Sequence, residues 1–314
     1  MTPAAPDRGT LDGAPVTVAV VGAGGVGGFF AARAAARADV TVCVRTPFDR
    51  LVVHSPDGDL APPVRITTDP ASVGPVDWVL LATKAQQTAA ARPWLDALVG
   101  PRTVVVVMQN GVRHTERVSP PVPSERVLPA VVYINAESSK PGVIIHRNYG
   151  YALVPAGDLA DRLAGVLPGD LVRPRSDFAT QAWTKLVVNS AVNSVTALTE
   201  QRIDVLQRDD VAATALQLMR ECVAVARADG VPVDEGLPEF TLRRMRSQPE
   251  GAGTSMLYDR LAGRPLEHEA LIGTVVRIGA ERGVPTPVCS AFAALLAAVS
   301  DAAVSGAAVT PPIQ

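Results

Sequence analysis

The sequence predicts a protein of two domains, an N-terminal α/β domain with a parallel sheet and a C-terminal all-α domain. Over the first half of the chain, short apolar runs alternate with helix-forming segments, which is typical of a parallel sheet covered by helices. Beyond about Ser176 the apolar residues instead recur with the spacing of amphipathic helices. A length of 314 residues suits two domains of roughly 150 residues each.

The composition is that of a globular protein and excludes several classes. Hydrophobic residues make up 47% of the chain and charged residues 19%, which argues against extended disorder. The 29 Lys and Arg residues nearly balance the 31 Asp and Glu residues, so no nucleic-acid surface is expected. No signal peptide or membrane-spanning run is found, and we therefore expect a cytoplasmic protein with no membrane contact.

The cysteines and histidines show no pattern of metal ligands. Cys43, Cys222 and Cys289 are odd in number and far apart, so they fit neither a disulfide framework nor a Cys-x-x-Cys pair. The four histidines have no ligand spacing either. We therefore expect a reducing compartment and no metal site.

Breaks in the pattern divide the chain into three parts. Residues 1–15 are rich in Pro, Asp, Gly and Arg and are predicted to form a flexible leader. The α/β domain is expected over residues 16–176 and the helical domain over residues 177–314, with Pro174 and Asp177 marking the boundary.

In the first domain, Val16–Val21 is predicted to be a buried strand because it is short, β-branched and followed at once by glycines. An alanine-rich helix then runs to about Arg37. Further strands are predicted at Val40–Val44, Val76–Ala82 and Val104–Met108, with a helix over Gln86–Leu98. Three later β-rich pieces predict strands added at one edge of the sheet: Leu128–Ile134, Val143–Arg147 and Tyr151–Val154.

In the second domain, helical spacing is clear in several segments. Apolar residues repeat every three or four positions in the segments Val211–Val225, Leu271–Ile278 and Val288–Val299, and a largely apolar helix is predicted around Trp183–Asn193.

A glycine-rich turn follows the first strand. Gly22, Gly24 and Gly27 have the spacing of a dinucleotide-binding fingerprint, in which glycines allow a tight turn, a close pyrophosphate and close packing of helix on strand. Such a motif can also be a plain turn, but here it joins a strand to a helix, which favours the cofactor. The predicted loop is Gly22, Ala23, Gly24, Gly25, Val26 and Gly27.

The residue after the second strand indicates which dinucleotide binds. An NAD site would place Asp or Glu about 20 residues beyond the glycines, to bond the ribose 2′-hydroxyl. This chain has Arg45 there, and a guanidinium can hold a 2′-phosphate in two hydrogen bonds. We therefore predict NADP(H), the alternative being a solvated arginine.

Polar residues also follow the two next strands. Lys84 comes after Val76–Ala82, and Asn110 comes after Val104–Met108, so both lie at the edge where open α/β sheets bind ligands. Lys84 would meet a carboxylate or ribose, and Asn110 the cofactor or substrate. Plain turn chemistry explains Asn110-Gly111 equally well.

A polar stripe interrupts the apolar helix of the second domain. Lys185, Asn189 and Asn193 are spaced i, i+4 and i+8 and share one helix face. A solvent-facing stripe would carry more charge and less asparagine, so we favour a stripe that lines a cleft. A partly desolvated lysine suits a proton donor. Ser255 and Glu267, taken alone, are explained as a helix cap and a surface charge.

Taken together, these motifs resemble the ketopantoate reductases (2-dehydropantoate 2-reductases) over nearly all of the chain after residue 15. The motifs that carry the resemblance are, in order, Gly22–Gly27, Arg45, Thr83–Ala85, Gln109–Gly111, Trp183–Asn193, Ser255–Asp259, Gly263-Arg264, Glu267 and Gly283–Pro287. The resemblance implies a Rossmann-type domain followed by a helical domain, similar to 6-phosphogluconate dehydrogenase, with the 2-oxo acid in the cleft between them.

The resemblance also implies roles for individual residues. Lys185 would be the proton donor, Glu267 would lie by the nicotinamide ribose and the lysine, and Ser255 would bind the substrate carboxylate. Asn189 and Asn193 would bind substrate, and Asn110 would touch substrate and cofactor. Lys84 would lie nearby, and Ala136 occupies a cofactor-contact position.

The chain departs from the family pattern around Glu267. The family usually has Thr-Glu-Ile-Asp and a later Asn-Gly, whereas here Leu266 replaces the hydroxyl and Ile272 replaces the amide. Thr254 stands where serine is common. These changes leave two alternatives to a ketopantoate reductase: a related reductase of another 2-oxo acid or ketone, and a non-catalytic NADP(H)-sensing protein. The oligomeric state is left open, a homodimer being compatible with the sequence.

Overall fold

The computed structural model describes residues 10–11, 14–248 and 251–305. The chain falls into two compact units, one up to Phe178 and the other from Ala179 onward. Most of the predicted leader lies outside the described residues, but Thr10–Leu11 pairs with Ala14–Pro15 as a short antiparallel ladder.

The N-terminal unit contains, in chain order, β1 (Thr10–Leu11), β2 (Ala14–Pro15), β3 (Thr17–Val21), α1 (Gly25–Ala34), β4 (Asp39–Cys43), β5 (Val52–His54), β6 (Arg65–Thr67), β7 (Trp78–Leu81), α2 (Arg92–Leu98), β8 (Val104–Val107), α3 (His114–Val118), β9 (Val127–Pro129), β10 (Val131–Lys140), β11 (Val143–Pro155), α4 (Asp158–Val166) and β12 (Val172–Arg175).

The central sheet of this unit has the order β6-β4-β3-β7-β8-β9, and neighbouring strands are parallel throughout. The chain starts in the middle at β3, builds outward through β4 and β6, and then crosses to β7 and continues to β9. This is the doubly wound Rossmann order, so the predicted fold is confirmed. Ligands bind such sheets where the winding direction reverses, beyond the carboxyl ends of β3 and β7.

Both faces of this sheet are covered, which explains the continuous apolar runs of its strands. Val18 and Val20 of β3 pack into one hydrophobic cluster, while Ala19 and Val21 pack into another. All residues of β7 and β8 are buried. A strand buried on both faces has no need of polar alternation.

A second sheet holds most of the β-rich segment predicted as an edge extension. Only β9 joins the edge of the parallel sheet, while β10 and β11 pair as an antiparallel hairpin and β12 and β5 lie parallel to β11. The expectation of strands added at one edge is therefore wrong for β10 and β11. These two strands instead pack against α1, where the lack of a side chain on Gly28 leaves room for Ile144 of β11.

Two further differences concern the predicted helix over 86–98 and the shortest strands. Two 3₁₀ turns, Ala85–Gln87 and Ala89–Ala91, precede α2, which begins only at Arg92. Pro93 has no N–H to donate and is tolerated in the first turn of a helix but not in its interior. The strands β5 and β6 were not predicted because they span three residues each, and β12 was not predicted because it contains a proline and two exposed arginines instead of an apolar run.

The C-terminal unit is helical over its described residues. It contains α5 (Phe178–Thr199), α6 (Asp209–Ala228), α7 (Leu237–Arg246), α8 (Ser255–Leu261), α9 (Thr274–Arg282) and α10 (Pro287–Ser305). A π-helical turn, Glu269–Gly273, precedes α9, so the segment predicted as one helix over 271–278 changes its hydrogen-bond pattern at Thr274. No helix among the described residues is long and apolar enough to cross a membrane.

Candidate active site

The glycine-rich turn leads directly from β3 into α1. Gly22 adopts a φ of +96°, which favours glycine, and its amide donates to the carbonyl of Cys43 at 2.9 Å. A Cβ on Gly27 would overlap the carbonyl of Gly22, so this glycine is required for the close approach of helix and strand. The first and third glycines of the motif are thus demanded by the fold itself.

Gly24 is different, because a Cβ there would meet no atom within 4 Å. Gly24 is the N-cap residue of α1 and has no side chain that could accept a hydrogen bond from the first N–H groups of the helix. The first turn of the helix also has no acidic residue. The leading N–H groups of a helix have no carbonyl partner within the helix and carry a partial positive charge. Open space in front of such a terminus fits the pyrophosphate of a dinucleotide.

Gly25 links this turn to the second sheet. A Cβ on Gly25 would collide with the backbone of Ala136, which lies in β10. The residue predicted as a cofactor contact on family resemblance therefore lies against the glycine-rich turn.

Arg45 lies at the same edge of the sheet. It follows β4 by two residues, and Cys43 at the end of that strand accepts the hydrogen bond from Gly22. The Arg45 side chain is exposed. An exposed guanidinium near the glycine-rich turn fits the 2′-phosphate of NADP(H).

The ends of β7 and β8 are joined by a glutamine to which the sequence interpretation assigned no role. The buried Gln109 donates to the hydroxyls of Thr83 and Thr88, at 3.1 and 2.9 Å. These bonds hold the segments that carry Lys84 and Asn110, both of which are half-buried. A buried amide whose hydrogen bonds are satisfied rigidifies its surroundings.

In the C-terminal unit, α5 carries the predicted polar stripe. Lys185 and Asn189 are half-buried, and Asn193 is buried at 5% exposure. The same helix buries Leu186, Val187 and the residues between Ser190 and Ala197. A solvated stripe would be exposed, so the burial supports the interpretation as a functional face.

Electrostatics at Lys185 suit proton transfer. Burial lowers the pKa of Lys185 from 10.5 to about 8, and the negative charge of Glu267 opposes this shift. Glu267 is itself buried, at 5% exposure. Lys185 therefore remains protonated near neutral pH and gives up its proton more readily than an ordinary lysine.

Glu267 is held by contacts on both sides. The preceding residue, Leu266, donates its amide to the buried Ser300 hydroxyl of α10 at 3.0 Å, and the Glu267 carbonyl accepts from Leu271 at 3.2 Å. The π-helical turn follows immediately, and such turns are frequent at functional sites. Nothing in the local sequence pointed to Ser300, because it lies far along the chain from Glu267.

Ser255 begins α8 and is exposed. The preceding Thr254 caps this helix, its hydroxyl accepting from the amide of Leu257 at 3.1 Å. The helix cap that the sequence predicts at Ser255 is therefore formed by Thr254, and the Ser255 side chain is left accessible to a ligand.

The two residues that depart from the family pattern are core residues. Leu266 and Ile272 are 2% and 0% exposed. The π-helical turn that contains Ile272 packs against α9 and α10. Both side chains thus pack inside the C-terminal unit, and neither is exposed at its surface.

The predicted site residues thus form two groups, one in each unit. The N-terminal unit holds Gly22–Gly27, Arg45, Lys84, Asn110 and Ala136, and the C-terminal unit holds Lys185, Asn189, Asn193, Ser255 and Glu267. Within the part of the chain that the structure describes, no group of three or more His, Cys, Asp or Glu side chains could hold a metal ion.

A doubly wound Rossmann sheet with this glycine-rich turn is the architecture of a dinucleotide-binding domain. Two family models match the chain: "Ketopantoate reductase PanE/ApbA" over residues 18–158 and "Ketopantoate reductase PanE/ApbA C terminal" over residues 177–300. The chain belongs to the ketopantoate reductase family, whose members act on a CH–OH/C=O group.

Individual relatives agree with this assignment. The 2-dehydropantoate 2-reductase of Caulobacter vibrioides is 41% identical over 288 residues, covering 90% of this chain and 99% of its own. That of Mycobacterium tuberculosis is 41% identical over 289 residues, covering 90% and 98%. The solved structure of a dimeric ketopantoate reductase from Staphylococcus aureus has a TM-score of 0.80 at 25% identity, covering 92% of this chain and 100% of that chain.

Proposed function

We propose that this protein catalyses the NADPH-dependent reduction of 2-dehydropantoate to pantoate. The observation that carries the proposal is Lys185, half-buried on a helix face shared with Asn189 and Asn193, with its pKa lowered to about 8. The names of the 41% identical relatives support the choice of substrate.

In this proposal the bound nicotinamide supplies the hydride for the C2 carbonyl. The Nζ of Lys185 donates its proton to the oxygen that becomes the alkoxide, which completes the alcohol. Asn189 and Asn193 orient the substrate by hydrogen bonds, and Ser255 binds its carboxylate. Glu267 keeps Lys185 protonated until the transfer, because its charge favours the ammonium form.

The N-terminal unit would hold the cofactor. The turn from Gly22 to Gly27 receives the pyrophosphate, and Arg45 binds the 2′-phosphate that distinguishes NADPH from NADH. Lys84, Asn110 and Ala136 would complete the cofactor contacts, with Asn110 also reaching the substrate. The proposed domain limits are residues 16–176 and 177–314.

The test is the oxidation of NADPH, followed by absorbance, with 2-dehydropantoate and a panel of other 2-oxo acids. We expect the highest kcat/KM with 2-dehydropantoate, and a higher KM for NADH than for NADPH. Faster turnover of another 2-oxo acid would favour the second candidate, a related reductase with a different substrate. The departures at Leu266 and Ile272 motivate that candidate, but both side chains are buried.

NADPH binding without turnover of any carbonyl compound would instead favour a sensing protein. Lys185, with its lowered pKa, has no evident use in a protein that only binds the dinucleotide.

We further propose a cytoplasmic location and a homodimer, the latter because the Staphylococcus aureus enzyme is named as dimeric. Sedimentation equilibrium of the purified protein measures the oligomeric state, and a monomer at micromolar concentration would contradict the dimer.

A further inference from the structure

A buried threonine continues the polar face of α5 beyond Asn193. Thr196 lies eleven residues after Lys185, about three helical turns, so the two side chains project from the same face. It is fully buried, at 0% exposure. No role was assigned to this residue from the sequence.

The hydroxyl of Thr196 connects α5 to the start of α8. The oxygens of Thr196 and Thr254 are 2.7 Å apart, although the residues are 58 positions apart in the chain. Thr196 also lies within hydrogen-bond distance of two carbonyls of its own helix, those of Val192 at 2.9 Å and Asn193 at 3.1 Å.

One direction of donation satisfies every group in this chain. The amide of Leu257 donates to the Thr254 hydroxyl, Thr254 donates to Thr196, and Thr196 donates to the carbonyl of Val192. Each hydroxyl then donates once and accepts once. A buried hydrogen-bond chain that is fully satisfied orders the elements it joins.

This series of hydrogen bonds ends beside Ser255. Thr254 has an extended backbone and directly precedes Ser255, whose side chain is exposed. The hydrogen bonds of Thr254 to Thr196 and Leu257 therefore fix the backbone segment that carries Ser255 against α5. These residues all belong to the C-terminal unit.

We propose that Thr196 is a positioning residue that acts through Thr254 to hold Ser255 where it binds the carboxylate of a 2-oxo acid. This inference rests on the proposed function, which gives Ser255 its ligand. Thr196 itself is buried and does not touch substrate.

The test compares Thr196→Val, which keeps the shape but removes the hydroxyl, with Thr196→Ser, which keeps the hydroxyl. We expect Thr196→Val to raise the KM for the 2-oxo acid about fivefold, the value of one hydrogen bond, with kcat and the KM for NADPH unchanged. Thr196→Ser retains the wild-type KM. In a Ser255→Ala background, Thr196→Val has no further effect on that KM.

An unchanged KM in folded Thr196→Val, or an equal rise in the Ser255→Ala background, overturns the positioning role. Hydrogen exchange at the Leu257 amide gives a readout that needs no substrate, and we expect it to accelerate in Thr196→Val but not in Thr196→Ser. Unchanged exchange also overturns the inference. Absence of 2-oxo acid turnover by the wild type would instead overturn the proposed function, so the two failures are distinguishable.

Discussion

The two units of this protein build their candidate sites from different parts of the polypeptide. In the N-terminal unit, the predicted cofactor residues are mainly backbone positions of one glycine-rich turn, together with exposed or half-buried residues that follow strands. In the C-terminal unit, the predicted catalytic and substrate-binding residues are side chains of α5, α8 and the segment before the π-helical turn. Two of them, Asn193 and Glu267, are buried. A site made of backbone atoms is sensitive to any added side-chain volume, whereas a site made of buried side chains depends on their charges and hydrogen bonds.

The largest expected effect tests the side-chain site. Lys185→Ala should lower kcat about 10²–10⁴-fold, the usual effect of losing a general acid, with little change in the KM for NADPH. Steady-state kinetics of NADPH oxidation measure both parameters. Lys140, which is exposed at the end of β10, provides the matched control, since Lys140→Ala removes the same charge and should retain activity. Near-normal turnover in Lys185→Ala would contradict the assigned role.

The next effect tests the cofactor site. Arg45→Ala should raise the KM for NADPH about ten- to hundredfold, because it loses hydrogen bonds to a charged phosphate. The KM for NADH serves as the internal control and should change little, since NADH has no 2′-phosphate. If the wild type already prefers NADH, the 2′-phosphate argument is wrong.

A pair of glycine substitutions separates folding from binding. Gly27→Ala should lower the free energy of unfolding by about 1–3 kcal/mol or more, because its methyl group would overlap the Gly22 carbonyl. Gly24→Ala should fold normally, because Gly24 has a φ of −72° and a Cβ there would meet no atom within 4 Å, yet it should raise the Kd for NADPH. Thermal denaturation and NADPH titration measure the two effects. Normal NADPH binding by Gly24→Ala would show that the pyrophosphate lies elsewhere.

The smallest effect concerns pH. Reduction requires protonated Lys185, so its rate should fall as the pH rises through about 8. Glu267 favours the protonated form, and Glu267→Gln should therefore lower the pKa of Lys185 and move this decline to lower pH. The exposed Glu269 supplies the control, and Glu269→Gln should leave the profile in place. If the fall in rate occurs at the same pH in Glu267→Gln as in the wild type, Glu267 does not influence the pKa of Lys185.

Sequence interpretation succeeded where neighbouring residues carry the information. The order of buried strands, the glycine spacing after β3 and the polar stripe on α5 all depend on residues within one or two elements. It failed where distant segments meet, as in the separate sheet of β10 and β11. The burial of Leu266 and Ile272 was equally beyond local sequence, because it depends on packing against α9 and α10.

Local patterns were thus sufficient for the Rossmann and helical classes, since strand and helix periodicity and glycine turns arise within short stretches of chain. The roles of the candidate site residues stay predictions. Tertiary structure alone revealed the hydrogen bonds that hold the candidate site residues in place. Gln109 bridges two strand ends, Ser300 holds the segment before Glu267, and Thr196 meets Thr254 across 58 residues of chain. Hydrogen bonds between such distant residues form only when folding brings them together, and no local pattern predicts them.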